Sequence, residues 1–191
     1  MKLFKTTVIG IFILAAGAFA QTLDLGQNFF FNDQGQITMV VHTGVAVLKL
    51  DSPYVMFQAF LFTKTDRNIE VGRDDIFMEY NGQQYKMPTF EEWRKNYNDE
   101  RNDVQIYNRL GKDALMTSEL RNYRFPTKFE FFPLLGRNTA RTDYGSFAGM
   151  IGFMSTLYFK NPGFKKGDKA TFFVKDAKNR EITGTCTIVL E

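Results

Sequence analysis

The sequence predicts a mainly β protein, an antiparallel β-sandwich with a short helical insertion. Three observations predict it. Apolar residues alternate with polar ones at period two through several short segments, as strands with one buried face do. Turn-forming groups such as Asn81-Gly82 and Asn161-Pro162-Gly163 punctuate these segments. A helix-start signature, Thr89 with Glu92 three residues later, interrupts the run of strands.

At the N-terminus, Lys2 and Lys5 precede an apolar run from Val8 to Ala16, and Ala18-Phe19-Ala20 follows. The run is shorter than the roughly 20 residues of a spanning helix, and its small residues suit a peptidase, so residues 1–20 are expected to be a signal peptide cleaved after Ala20. A single domain, residues 21–191, is expected to remain. Removing Lys2 and Lys5 leaves 22 basic against 21 acidic side chains, a net charge of +1 rather than +3. So balanced a surface offers no stripe for nucleic acid. Cys186 is the only cysteine, so no intramolecular disulfide forms, which suits a bacterial envelope protein better than a small secreted animal domain. Gln21 stands where a lipoprotein needs cysteine, and no second long apolar run follows. The expected location is the periplasm or the medium, with no stable membrane insertion.

Each element has its own signal. From Gln36 to Leu50 the residues Ile37, Met39, Val41, Val45 and Val47 alternate with Thr38, His42 and Gly44, predicting a half-buried strand, or two bent at Gly44. Tyr54 to Thr63 is apolar at both parities, as in a central strand covered on both faces. Asp75–Tyr80 and Gln83–Met87 flank Asn81-Gly82, a type I′ hairpin turn. Pro88 ends that strand, and a helix is predicted from Phe90 to Tyr97, with Glu91 placed to pair with Lys95. Val104, Tyr107 and Leu110 predict a second helix over 99–110, stopped by Gly111. Strands are predicted at 125–131, 150–160, 170–175 and 181–190, with a long polar loop from Leu135 to Gly149.

The hairpin Asp-Ile-Phe-Met-Glu-Tyr-Asn-Gly-Gln-Gln-Tyr and the closing Lys-Lys-Gly-Asp-Lys hairpin resemble immunoglobulin-like domains of exported bacterial proteins. The resemblance spans most of residues 21–191 and implies an adhesive, scaffolding or ligand-binding module. It carries no catalytic motif. An eight-stranded outer-membrane barrel is the rival architecture, but the chain ends Val189-Leu190-Glu191 without a terminal aromatic, and a helical insertion has no place in a small barrel.

Few residues offer chemistry. His42 is the only histidine, no G-x-S-x-G accompanies it, and its strand position predicts a solvated side chain. Cys186 shares a parity with Ile182, Ile188 and Leu190, so it is expected to be a buried, unreactive thiol. One Cys and one His cannot close a structural zinc site, and no cofactor or metal is expected. Asn98, Asp99, Glu100, Asn102 and Asp103 gather oxygens without EF-hand spacing and read as a solvated turn. Glu91 and Glu92 are adjacent on a helix and do not face one another as a catalytic pair would.

Two features remain as partner-binding candidates. Phe90, Trp93 and Tyr97 form a helical stripe that packs on the sandwich or, if exposed, presents an aromatic platform. The loop Gly136–Gly145 carries Arg137, Arg141, Asp143 and Tyr144, residue types suited to planar hydrogen bonding and aromatic contact. The leading expectation is a noncatalytic module that binds a protein or glycan of the cell envelope. The alternative is a cell-wall or polysaccharide hydrolase whose carboxylates meet only in the fold.

Overall fold

The segment Tyr54–Phe62 is apolar at both parities, so neither face can be left in water, and every one of its residues is buried. The rest of the fold is arranged around it. The computed structural model describes residues 22–110, 119–134 and 138–191. Within them the strands are β1 (Leu23–Gly26), β2 (Phe29–Asn32), β3 (Thr38–His42), β4 (Tyr54–Phe62), β5 (Ile69–Gly72), β6 (Ile76–Tyr80), β7 (Gln83–Lys86), β8 (Phe129–Glu130), β9 (Ala140–Arg141), β10 (Tyr144–Phe147), β11 (Phe153–Lys160), β12 (Lys169–Lys175) and β13 (Thr183–Val189). The helices are α1 (Gly44–Leu48), α2 (Phe90–Asn96) and α3 (Glu100–Leu110), with a single 3-10 turn at Arg73–Asp75.

One sheet has the order β1-β2-β3-β4-β11 and the other β13-β12-β6-β7, all neighbours antiparallel. Neither sheet closes on itself. Two short ribbons, β10-β5 and the parallel β8-β9, are added beside them. The main core lies between the sheets, where Phe57 and Phe159 of one meet Phe172 of the other with ring centroids 4.9 and 5.7 Å away. Each ring so buried contributes roughly 1.5–3 kcal/mol. At one edge the sheets join directly. The Ile37 N–H donates to the Thr183 carbonyl at 3.1 Å, and the Cys186 thiol to the Phe30 carbonyl at 3.3 Å.

The outer face of the five-stranded sheet is covered as well. Phe60 and Phe62 pack under Phe125 and Tyr123, and Trp93 of α2 packs on Tyr158 of β11 at 4.8 Å. This second layer explains why His42, expected in solvent, is buried: its ring stacks on Phe29 at 4.3 Å, and burial lowers its pKa to about 4.

The hairpin of β6 and β7 turns at Asn81 and Gly82, with φ of 51° and 74°, the positive values a type I′ turn requires. In the capping box of α2, the Thr89 hydroxyl accepts from the Glu92 N–H at 3.1 Å while the Glu92 carboxylate accepts from the Thr89 N–H at 2.8 Å. Other expectations need correction. The strand expected over Gln36–Leu50 stops at His42, and Gly44–Leu48 is helical, with Val45 and Ala46 buried and Leu48 exposed. Five residues are too few to separate a period of 2 from one of 3.6. The strand expected at 125–131 shrinks to Phe129–Glu130, because Phe125 is used in ring packing rather than in a ladder. The loop expected over Leu135–Gly149 contains β9 and β10. The leader of residues 1–20 and the stop at Gly111 lie outside the described residues. Among the described residues no helix is long and apolar enough to cross a membrane.

Candidate functional site

The short ribbon β10-β5 brings together segments far apart in sequence. Register pairs Tyr144 with Gly72, and the Arg73 N–H donates to the Asp143 carbonyl at 3.0 Å, which fixes residues 141–144 against the Arg73–Asp75 turn. The Arg73 guanidinium reaches the other way, donating to the carbonyls of Met87 and Pro88 at 3.1 and 2.9 Å, just before α2 begins. Between these walls and the Ala177–Arg180 turn lies an open cleft of about 610 Å³.

Its lining is mostly charged. Arg141 pairs with Glu91 and lies 3.6 Å from Asp143, Arg180 pairs with Asp75, and Arg73 pairs with Asp74 at 2.9 Å. Its own backbone N–H at the start of α2, together with Arg141, holds the Glu91 carboxyl below its ordinary range. Glu91 thus pairs with Arg141 across the cleft rather than with Lys95 on its own helix. The Arg141 guanidinium also lies over the Phe90 ring at 5.1 Å, and Tyr144 stands exposed at the rim.

Of the residues singled out in the sequence, Arg141, Asp143 and Tyr144 line this cleft. Arg137 lies outside the described residues. Trp93 and Tyr97 do not form an exposed platform: both are buried, Trp93 against Phe132 and Tyr158 and Tyr97 against Tyr54 and Tyr158. The stripe supports the site from beneath, because Phe90 bridges Trp93 and Arg141. Sequence reasoning missed Arg73, Asp74, Asp75 and Arg180. A charged run after an unrecognised strand, and a turn arginine, carry no sign that they face one another.

The acidic cluster after α2 is not a solvated turn. Asp103 is buried, and the Tyr97 and Tyr158 hydroxyls donate to it at 2.8 and 2.7 Å. Lys49 also bonds it, as well as Asp99 at 2.7 Å and the Tyr97 oxygen at 2.5 Å. Burial alone would lower the Lys49 pKa, but its bonds to Asp103, Asp99 and Tyr97 outweigh burial and raise it. Burial raises the Tyr97 hydroxyl to about 12 and holds the Tyr158 hydroxyl well above its ordinary range. All three ammonium donors are engaged, so this network clamps helices to the sheet and offers no free group to a ligand. Glu100 pairs with Arg94. Among the described residues no cluster of His, Cys, Asp and Glu could hold a metal ion.

No family model, no curated protein and no solved structure matches the chain.

Proposed function

We propose that this chain is an exported, noncatalytic module of the bacterial envelope that recognises a partner through the cleft formed by Arg73–Asp75, the start of α2 and residues 141–144. One observation carries the reading: Arg141, Asp143 and Tyr144 converge on one open concavity with a second polar wall. Guanidinium and carboxylate groups already held in pairs are preorganised for planar hydrogen bonding, and the exposed Tyr144 ring adds an aromatic contact. The immunoglobulin-like resemblance belongs to this proposal, as do export and cleavage after Ala20. Glu91, held below its ordinary range, is not the raised-pKa acid that the alternative hydrolase reading needs.

The test is recovery of the partner from envelope extracts on immobilised protein, comparing wild type with Arg141→Ala/Tyr144→Ala. Loss of capture with an unchanged melting temperature is expected, since exposed ion pairs contribute about 0–1 kcal/mol. Capture that survives the double substitution removes the cleft from the account. Intact mass of the exported protein is expected to correspond to a chain starting at Gln21.

A further inference from the structure

Tyr144 belongs to two depressions. On its other side lies a groove of about 370 Å³ lined by Pro126, Phe129, Ile151 and the outer side of β10. Phe129 (53%), Tyr144 (60%) and Ile151 (51%) are three of the six large apolar side chains that stand exposed among the described residues. Such side chains are ordinarily scattered, and their convergence on one groove marks an interaction surface. The floor is set by Gly145, where a Cβ would collide with the Phe153 ring.

This groove also runs past Ser146 on the outer edge of β10, just before that edge is closed by Ala148 and Ile151, which exchange backbone bonds at 3.1 and 3.0 Å. β10 pairs with β5 on one side only. Opposite Ser146, Glu70 donates its N–H to Asp176 at 3.1 Å and accepts from the Ala177 N–H at 2.7 Å, so Glu70 and Ser146 exchange no bonds. The peptide N–H and carbonyl of Ser146 therefore point away from β5. Two residues earlier on the same side, the Thr142 hydroxyl bonds both the N–H and the carbonyl of Tyr144, at 3.2 and 2.6 Å.

Charge distinguishes the adjoining cleft. Its four carboxylates outnumber its three guanidinium groups by one. The acids Asp74 (74%), Glu91 (68%) and Asp143 (59%) are exposed, whereas Arg73 (15%) and Arg141 (39%) are more withdrawn and Arg180 (61%) is tied to Asp75. Three exposed carboxylates thus stand against one equally exposed guanidinium, and the cleft is negative by one charge.

Resting on the recognition reading above, we infer that groove and cleft together take one extended peptide. It lies along β10, places an apolar side chain against Phe129 and Ile151, and passes a basic side chain beyond Tyr144 to Glu91 and Asp143. Main-chain bonding at Ser146 fixes the peptide's register, and the two depressions supply affinity and specificity.

The experiment is selection of a phage-displayed random dodecapeptide library on the purified protein, followed by fluorescence anisotropy of the enriched peptides. Enriched sequences should combine an apolar residue with lysine or arginine. Their binding should weaken by about tenfold or more in Ile151→Asp and in Ser146→Pro, and lose its salt dependence in Glu91→Gln/Asp143→Asn. Ser146→Pro removes a donor that the ladder with β5 does not use, and edge positions accept proline. Ile151→Asp, a surface change, decides the matter if circular dichroism shows that the proline variant is unfolded. Failure to enrich peptides over a blank surface, or equal binding to all variants, overturns the inference. Self-association abolished by Ile151→Asp also overturns it, since the edge then serves a second copy. An oligosaccharide that binds wild type but not Arg141→Ala/Tyr144→Ala, with no peptide enriched, refutes the peptide while the cleft's role stands.

Discussion

At the scale of single residues, a buried polar row crosses the outer face of the five-stranded sheet. His42 is in register with Gln58, and Gln58 with Thr156, whose hydroxyl donates to Glu130 at 3.0 Å. The Gln58 amide is buried, and among the described residues neither its oxygen nor its nitrogen has a hydrogen-bond partner. A group left so costs about 1–3 kcal/mol, so Gln58→Met, similar in shape and apolar, should raise stability by about 1 kcal/mol or more in urea unfolding. A loss would show that the amide has a partner.

His42 supplies a pH dependence with a definite sign. Above pH 6.5 it is neutral in both folded and unfolded chains and imposes no penalty. As the pH falls, the unfolded chain takes a proton that the folded one refuses until about pH 4, so stability declines across that window by about 3 kcal/mol. His42→Phe should flatten the slope relative to wild type. The burial of His42 was not legible in its strand, because parity assigns a side chain to a face and says nothing of what covers that face. Cys186 was legible, since its parity matched Ile188 and Leu190, and both its neighbours and its thiol are buried. Its raised pKa, caused by desolvation, predicts that a thiol reagent labels it only after unfolding.

At the scale of elements, legibility followed sequence distance. The hairpin at Asn81-Gly82 and the capping box of α2 depend on residues within a few positions of each other, and both form as the sequence predicts. Thr89→Ala should cost about 1 kcal/mol in denaturant unfolding. The clamp at Asp103 was invisible because its partners Lys49 and Tyr158 lie 54 and 55 residues away. Removing one side of a buried ion pair commonly costs 3–5 kcal/mol, and Asp99 remains to hold Lys49, so Asp103→Ala should cost about 3 kcal/mol. A much smaller loss would mean that the clamp does not hold the helices to the sheet. The short strands β1, β2, β5 and β10 escaped notice for a related reason: with four residues each, they take their conformation from the strands they join.

For the whole molecule, the sandwich was legible because two-sided burial of β4 and the hairpin signals leave few other ways to cover so much apolar surface. The site was half legible. Arg141, Asp143 and Tyr144 stood out by residue type, while the wall opposite them exists only because β5 pairs with β10. The aromatic stripe of α2 was legible as a stripe, and its role was decided by packing, which buries Trp93 and Tyr97 and leaves Phe90 beneath Arg141. The account therefore makes position 144, at the junction of cleft and groove, the point nearest any partner. Its most direct test is photo-cross-linking in the producing cell, with Tyr144→benzoylphenylalanine compared against Gln84→benzoylphenylalanine on the exposed strand β7. The account predicts a discrete adduct from position 144, suppressed by Arg141→Ala in the same chain, and none from position 84. Equal adducts from both positions, or an adduct from 84 alone, would contradict it.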